Sequence, residues 1–201
     1  VGIVFSLPLG VLLALGRRSR LPVVRMLSVG FIEFVRGVPL ISVLFMANVM
    51  LPLFVPEAWA PDRQLRPLVG VALFASAYMA EVVRAGLQAL PRGQGEAAQA
   101  LGLSWWSAQR HVVLPQALTL VIPGIVNTFI GLFKDTTLVA AVGALDFLRA
   151  VDVARQDPAW SGPTIALTGY VFAGLFYFVA CFAMSRYSLA VERDLSRARA
   201  R

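Results

Sequence analysis

The residues able to do chemistry in this chain are few, and most sit inside apolar runs. Glu81 follows Ser76-Ala77-Tyr78-Met79-Ala80, and Arg84 stands three positions on. A carboxylate in a membrane helix is costly and therefore a functional candidate. Two readings fit it. Arg84, one helical turn away, can pair with it and fix helix packing, or the carboxylate can line a path and meet the ammonium of a passing solute. Ser76 and Tyr78 can hydrogen-bond such a solute or a neighbouring backbone. Asn127 and Thr128 lie in another apolar run, past a kink expected at Pro123-Gly124. A buried amide needs a partner, which a second helix or a solute could supply. Lys134 and Asp135 end that run. They neutralise each other, or they face a cavity, a partner subunit or water at an outer gate. Covalent and metal chemistry has no comparable constellation. Cys181 is the single cysteine and His111 the single histidine, with no metal-ligand spacing around either. There is no glycine-rich loop ending in Lys-Ser or Lys-Thr, so the chain is not expected to bind ATP or any other cofactor.

The elements that must position these groups are membrane helices. Hydrophobic residues make up 58% of the 201 positions, against about 45–50% in ordinary soluble domains. The mean hydropathy is +0.74. A bilayer accommodates that much apolar side chain; water does not. The net charge of +7 comes from arginines clustered between the apolar runs, which is a topology signal and not a nucleic-acid surface.

Val1 to Gly16 is apolar, slightly short for a span, and lacks the charged start of a signal peptide; it reads as a span cut at its beginning. Arg17, Arg18, Arg20 and Arg25 place the following loop in the cytoplasm. Met26 to Gly37, with Glu33 and Arg36, suits a helix at that surface, and Val38 to Val55 leads outward. Pro56 to Pro67 is an outer loop whose charges, Glu57, Asp62, Arg63 and Arg66, cancel. Leu68 to Leu90 returns inward, Pro91 to Leu114 is cytoplasmic, and Gln116 to Phe133 crosses again. The last span is Thr164 to Met184, followed by a tail with Arg186, Arg193, Arg197, Arg199 and Arg201. That tail is cytoplasmic only if Arg149 to Pro163 is outside. Thr136 to Leu148 is therefore expected to be re-entrant or packed at the outer edge. Trp59, Trp105, Trp106 and Trp160 fall in loops, as interfacial anchors do. The expectation is a single domain over 1–201, an all-α bundle of about five transmembrane helices with the first incomplete.

The cytoplasmic loop is the most informative segment. Glu96 to Leu103 favours helix through its Ala, Gln and Leu content. Ala97, Leu101 and Trp105 would form an apolar face if that helix continued. Gly102 weakens it and lets the chain turn, and Leu114-Pro115 restarts the next span. Such a short helix pair suits docking to a cytoplasmic protein, or packing on its own bundle. Its order is Glu96-Ala97-Ala98, three residues, Gly102, nine residues, Val112, one residue, Leu114-Pro115. This resembles the signature loop of ABC importer permeases, with Val112 where that pattern usually has Ile. The flanks are similar to the polar amino acid permeases: Glu33-Phe34-Val35-Arg36-Gly37-Val38-Pro39-Leu40, Ser76 to Glu81, Gly86 to Gln94, Val113 to Ala117 and Lys134 to Leu138. The ending Phe182 to Ser188 looks most like the M-type subunit of general L-amino acid permeases.

That resemblance implies a type I ABC importer permease fold in the bacterial inner membrane, with no catalysis of its own. Glu96, Ala97, Ala98, Gly102, Leu114 and Pro115 would couple it to an ABC ATPase subunit. Ser76, Tyr78, Glu81, Asn127, Lys134 and Asp135 would be candidates for the translocation path. A second, different permease subunit, a periplasmic amino-acid-binding protein, an L-amino acid substrate and membrane lipid would be its partners, with no nucleic acid. An ion-coupled carrier is the alternative, but it usually carries an internal repeat, and none is evident. A membrane scaffold without a pathway is a third.

Overall fold

The computed structural model describes residues 2–56, 62, 64–160 and 162–199. The expectations for Val1, Glu57, Trp59, Arg63 and Arg201, and for the side chains of Arg197 and Arg199, lie outside the described residues. Among the described residues there are helices and no strands. In chain order these are α1 (Gly2–Arg17), α2 (Pro22–Gly37), α3 (Leu40–Phe54), α4 (Leu65–Ala89), α5 (Gly93–Ala100), α6 (105–120), α7 (Ile122–Val142), α8 (Phe147–Arg155) and α9 (Ile165–Arg199).

Among the described residues, three helices are long and apolar enough to cross a membrane: α4, α7 and α9 within Ile165–Leu195. The joined pair α2 and α3 qualifies as one broken element bent by 109°, and α1 is apolar but shorter. The five expected apolar segments are thus all helical and in order. The bend between Gly37 and Leu40 falls at Val38-Pro39, both extended in backbone angle. A residue before proline avoids the helical region, so the chain turns there.

The axis of the bundle is α4. It buries small residues along its length, among them Ala72, Ala75, Ser76, Ala77 and Ala80, interleaved with the bulkier Val71, Met79, Val83 and Leu87. Lipid tails are as apolar as leucine, so membrane helices gain most from close backbone approach at small residues. The most extensive helix pair, α1 with α4, shows this. A Cβ added at Gly10 would lie 2.7 Å from the Met79 Cβ, so only glycine permits the approach. One core cluster joins Leu15, Ile32, Met79, Val83, Leu87 and Val113; the other, toward the opposite end of α4, joins Leu40, Leu44, Val71, Leu132, Val139 and Val142.

Two prolines inside helical runs each follow a widened turn. Met46–Met50 precedes Pro52, and Gln109–Val113 precedes Pro115, both as π-helix. A proline ring collides with the carbonyl four residues back, which here belongs to Asn48 or His111, and a wide turn moves that carbonyl aside.

This corrects three boundaries. Leu114-Pro115 does not restart a helix, because the turns from Trp105 to Leu120 run on continuously. The break comes at Val121 (φ −110°, ψ 13°), with Pro123 in the first turn after it, so Gln116–Phe133 is not one rod. Thr136 to Leu148 is not a re-entrant helix either. Thr136–Val142 continues α7 as 3-10 turns, and its Val139 and Val142 close the second core cluster. The membrane-length element is Ile122–Val142, so Lys134 and Asp135 lie within it and do not end it.

Beyond it, α8 starts at Asp146, whose carboxylate accepts from the backbone N–H of Leu148 and Arg149 as an N-cap does. Last, α9 runs 35 residues, about 50 Å at 1.5 Å per residue, well past Met184. Ala173 is the one buried hydrophobic side chain described on it. Phe176 and Tyr177 pack against Phe147 and Phe133, Phe172 also meets Phe147, and Phe178, Val179 and Phe182 are left outward.

Candidate functional site

The first site is the loop between α4 and α6. α5 covers Gly93–Ala100 and stops at Leu101-Gly102, where Gly102 takes φ +80°. That left-handed angle suits glycine and strains other residues. The helix therefore does not continue to Trp105, and the three-residue apolar face of Ala97, Leu101 and Trp105 is not formed. Ala98 is buried against the body of the protein, while Glu96, Ala97 and Ala100 are exposed and Leu101 is 83% exposed. The amide of Gln116 donates to the Gln94 side chain at 3.1 Å, tying α5 to α6. Ser104 caps the first turn of α6 by accepting from the Ser107 N–H. Leu114 and Pro115 lie within α6 behind the wide turn, Leu114 half-buried and Pro115 exposed. Trp105 and Trp106 meet edge to face at 4.7 Å.

The second is a charged node where α1, α2 and α4 meet. Glu81 is 16% exposed in its side chain. Its Oε1 accepts from Arg17 Nη1 at 2.8 Å, and its Oε2 accepts from Arg84 Nη2 at 2.6 Å and Nε at 2.8 Å. Arg36 Nη1 stands 3.8 Å from the same oxygen, and Arg17 also reaches Glu33 at 3.0 Å. The expected Glu81–Arg84 pair is present, but it is one part of a three-arginine shell. Arg17 and Arg36 come from distant positions, and no local spacing on α4 signals them.

The third is a cleft of about 390 Å³ between α3, α4 and α7, lined by Phe74, Tyr78, Asn127, Thr128 and Asp135 among others. Tyr78 is 38% exposed. Its ring stacks obliquely on Phe74 at 4.9 Å and carries the Arg36 guanidinium 5.5 Å from its centroid. Asn127 is exposed to the cleft and Asp135 is half-buried. Among the described residues, neither side chain has a hydrogen bond or ion pair, and Asp135 forms none with Lys134. Of the six path candidates, the structure brings together Tyr78, Asn127 and Asp135. It excludes Ser76 from that cleft, buried at 1% with its hydroxyl donating to the Leu73 carbonyl at 2.7 Å. Lys134 is exposed away from the cleft lining, and Glu81 is spent on arginines. Thr128 bonds its own helix at Gly124.

One polar residue went unread in the sequence. Asn48 of α3 donates to the Val142 carbonyl at 3.2 Å and so holds α3 to the end of α7. An amide inside an apolar run was its only signal.

Residues 6–197 match the family described as the binding-protein-dependent transport system inner membrane component. The chain belongs to this family. As an inner membrane transport component it is 60% identical to the inner membrane amino-acid ABC transporter permease protein YhdY of Escherichia coli (strain K12), over 99% of this chain and 54% of that protein. It is 57% identical to the glutamate/glutamine/aspartate/asparagine transport system permease protein BztC of Rhodobacter capsulatus, over 97% of this chain and 45% of that one. The chain thus spans about half the length of these two relatives. It is also 32% identical to the probable amino-acid permease protein YxeN of Bacillus subtilis, covering 96% of this chain and 84% of that protein. Its fold superposes on the solved structure of an amino acid ABC transporter with histidines at a TM-score of 0.78, with 28% identity over 96% of this chain and 86% of the other. The type I ABC importer permease fold is therefore present, and the ion-coupled carrier is not favoured.

Proposed function

We propose that this chain is the membrane-spanning permease subunit of an ATP-driven importer of L-amino acids, and that it performs no catalysis itself. The observation that carries this reading is the α5 loop. A short helix is anchored by Ala98 and Gln94, yet presents Glu96, Ala97, Ala100 and Leu101 to the outside. Glu96, Ala97, Ala98, Gly102, Leu114 and Pro115 form the coupling element for an ABC ATPase. A push on α5 passes through its tie to Gln116 into the last turns of α6 and reaches the break at Val121. Beyond that break α7 carries Asn127 and Asp135, so nucleotide-driven motion at the loop opens or closes the cleft. This is rigid-body rocking about a hinge.

The cleft suits a zwitterion. Asp135 offers a carboxylate to an ammonium, and the Asn127 amide and Tyr78 hydroxyl offer donors to a carboxylate. Its volume falls in the lower part of the range for small-molecule sites, about 300–1,000 Å³. The relatives are named for amino-acid transport, which agrees. A second, non-identical permease subunit would complete the path, and a periplasmic binding protein would deliver substrate.

The test is co-purification of the full-length tagged protein from solubilised membranes. An ABC ATPase should accompany it, and Glu96→Lys or Leu101→Asp should release that ATPase while the permease stays monodisperse. Retention of the ATPase by both variants would remove the docking role from α5. Absence of any ATPase would remove the importer reading.

A further inference from the structure

We infer that the inner end of the bundle holds a binding site for one anionic phospholipid, seated beside the α5 loop. Two cavities adjoin there. One, about 770 Å³, is walled by Arg17, Arg18, Arg25, Arg84 and Arg92, with Glu96 as its one acidic side chain. Arg17 and Arg84 are committed to Glu81. Arg18, Arg25 and Arg92 are exposed and make no ion pair or side-chain hydrogen bond among the described residues. Three uncommitted guanidiniums therefore face one carboxylate across a shared space. Guanidinium forks fit phosphate oxygens in pairs, and a basic pocket between membrane helices is suited to a lipid headgroup.

The second cavity, about 780 Å³, decides between a lipid and a free phosphate. It is walled mainly by apolar groups, including Leu12, Leu15, Leu21, Val24, Leu103 and Trp106. The two cavities share Arg18, Gln99 and Trp105. A ligand filling both has an anionic head and an apolar tail joined near Trp105, a residue type that favours the membrane interface. Leu21, which lines this cavity, is 64% exposed, and its neighbours Val23, Met26 and Leu27 on α2 are also exposed apolar side chains. Inorganic phosphate would use only the first cavity. Gln99 belongs to α5, so a bound lipid touches the loop that moves.

The transporter, purified with its partner subunits and stripped of lipid, is offered palmitoyl-oleoyl phosphatidylglycerol, the phosphatidylcholine with the same chains, chain-free glycerophosphoglycerol and inorganic phosphate. Native mass spectrometry counts retained lipid, and thermal unfolding reads all four. Phosphatidylglycerol should be retained about 25-fold better than phosphatidylcholine, since each arginine near an anionic headgroup is worth about a factor of five and Glu96 offsets one of the three. The triple change Arg18→Gln, Arg25→Gln, Arg92→Gln should abolish the preference, and the triple lysine version should keep most of it. If the triple glutamine protein does not fold, Arg25→Gln alone should cut the preference several-fold. The two chain-free anions should not stabilise the protein. Equal retention of both lipids, or a preference that survives loss of the arginines, overturns the proposal. So does stabilisation by inorganic phosphate alone, which means a free-anion site. A preference seen for the permease pair but absent with the ATPase bound also overturns it, since the ATPase then covers the cavity.

Discussion

Glu81 and Asp135 are both carboxylates within membrane helices, and their surroundings are opposite. Glu81 has three guanidiniums within 3.8 Å, drawn from α1, α2 and α4. Asp135 lines an open cleft and makes no side-chain hydrogen bond or ion pair among the described residues, with Lys134 beside it in the chain as the neighbouring charge. On the function proposed above, Glu81 holds helices together and Asp135 is the carboxylate offered to the solute. A carboxylate whose lone pairs are filled by the protein has little left for a solute, and it fixes the helices that fill them. A carboxylate in a cleft without a partner has its charge available. The same contrast holds between Ser76, bonded to its own helix, and Tyr78 two residues on, which lines the cleft and whose hydroxyl has no hydrogen bond among the described residues.

Removing the node should give the largest effect. Glu81→Gln leaves Arg17, Arg36 and Arg84 facing one another with only Glu33 nearby. Breaking a buried ion pair by deleting one partner costs about 3–5 kcal/mol; with these arginines partly exposed, the lower end applies. The expected outcome is a drop in folded yield and a lower unfolding temperature, read by size-exclusion chromatography and a thermal scan in detergent. Unchanged stability would place Glu81 with Asp135 and collapse the comparison.

Asp135→Asn should act the other way round. The fold should hold, because no protein group loses a bond. Uptake of amino acid into proteoliposomes should fall about tenfold or more, since a hydrogen bond to a charged group is worth about 1.5–3 kcal/mol. A stability loss like that of Glu81→Gln, with uptake intact, would reverse the assignment.

Which parts of this contrast were legible in the sequence follows from how far each signal reaches. Helix content, the order of apolar segments and the turn at Gly102 are local, and each was readable. The Glu81–Arg84 pair was readable because it spans one helical turn. Arg17 and Arg36 were not, since they reach Glu81 only after α1 and α2 pack on α4. The convergence of Tyr78 and Asp135 also needs α4 and α7 side by side, which no spacing states. The helix break was placed near Pro123 by its composition, yet the chain turns at Val121, because proline fits the first turn of the following helix. Thr136 to Leu148 was set apart by parity. Of the two placements expected for this run, re-entrant or packed at the outer edge, the re-entrant helix is absent: α-helix runs through Lys134-Asp135, 3-10 turns continue it to Val142, and Val139 and Val142 pack in the second core cluster.

Tyr78→Phe should have a smaller effect than Asp135→Asn. The ring stays against Phe74 and under Arg36, so the fold and the cation–π contact are kept. Only the hydroxyl is lost from the cleft. A neutral hydrogen bond is worth about 0.5–1.5 kcal/mol, so the half-saturating amino acid concentration should rise about threefold at unchanged stability. No change would mean that the hydroxyl does not touch the substrate.

The smallest expected effect falls at Arg36, a side chain that reaches both Glu81 and Tyr78. It stands 3.8 Å from Glu81 and 5.5 Å from the Tyr78 ring centroid. Its charge is the weakest of the three on Glu81, so Arg36→Gln should cost only about 0.5–1 kcal/mol of stability. The informative reading is the double change with Tyr78→Phe. If node and cleft are independent, the two losses in uptake add as free energies. A shortfall from additivity of more than about 0.5 kcal/mol would mean that Arg36 transmits the state of the node to the cleft. Glu81 would then set the position of Tyr78 without itself meeting the substrate.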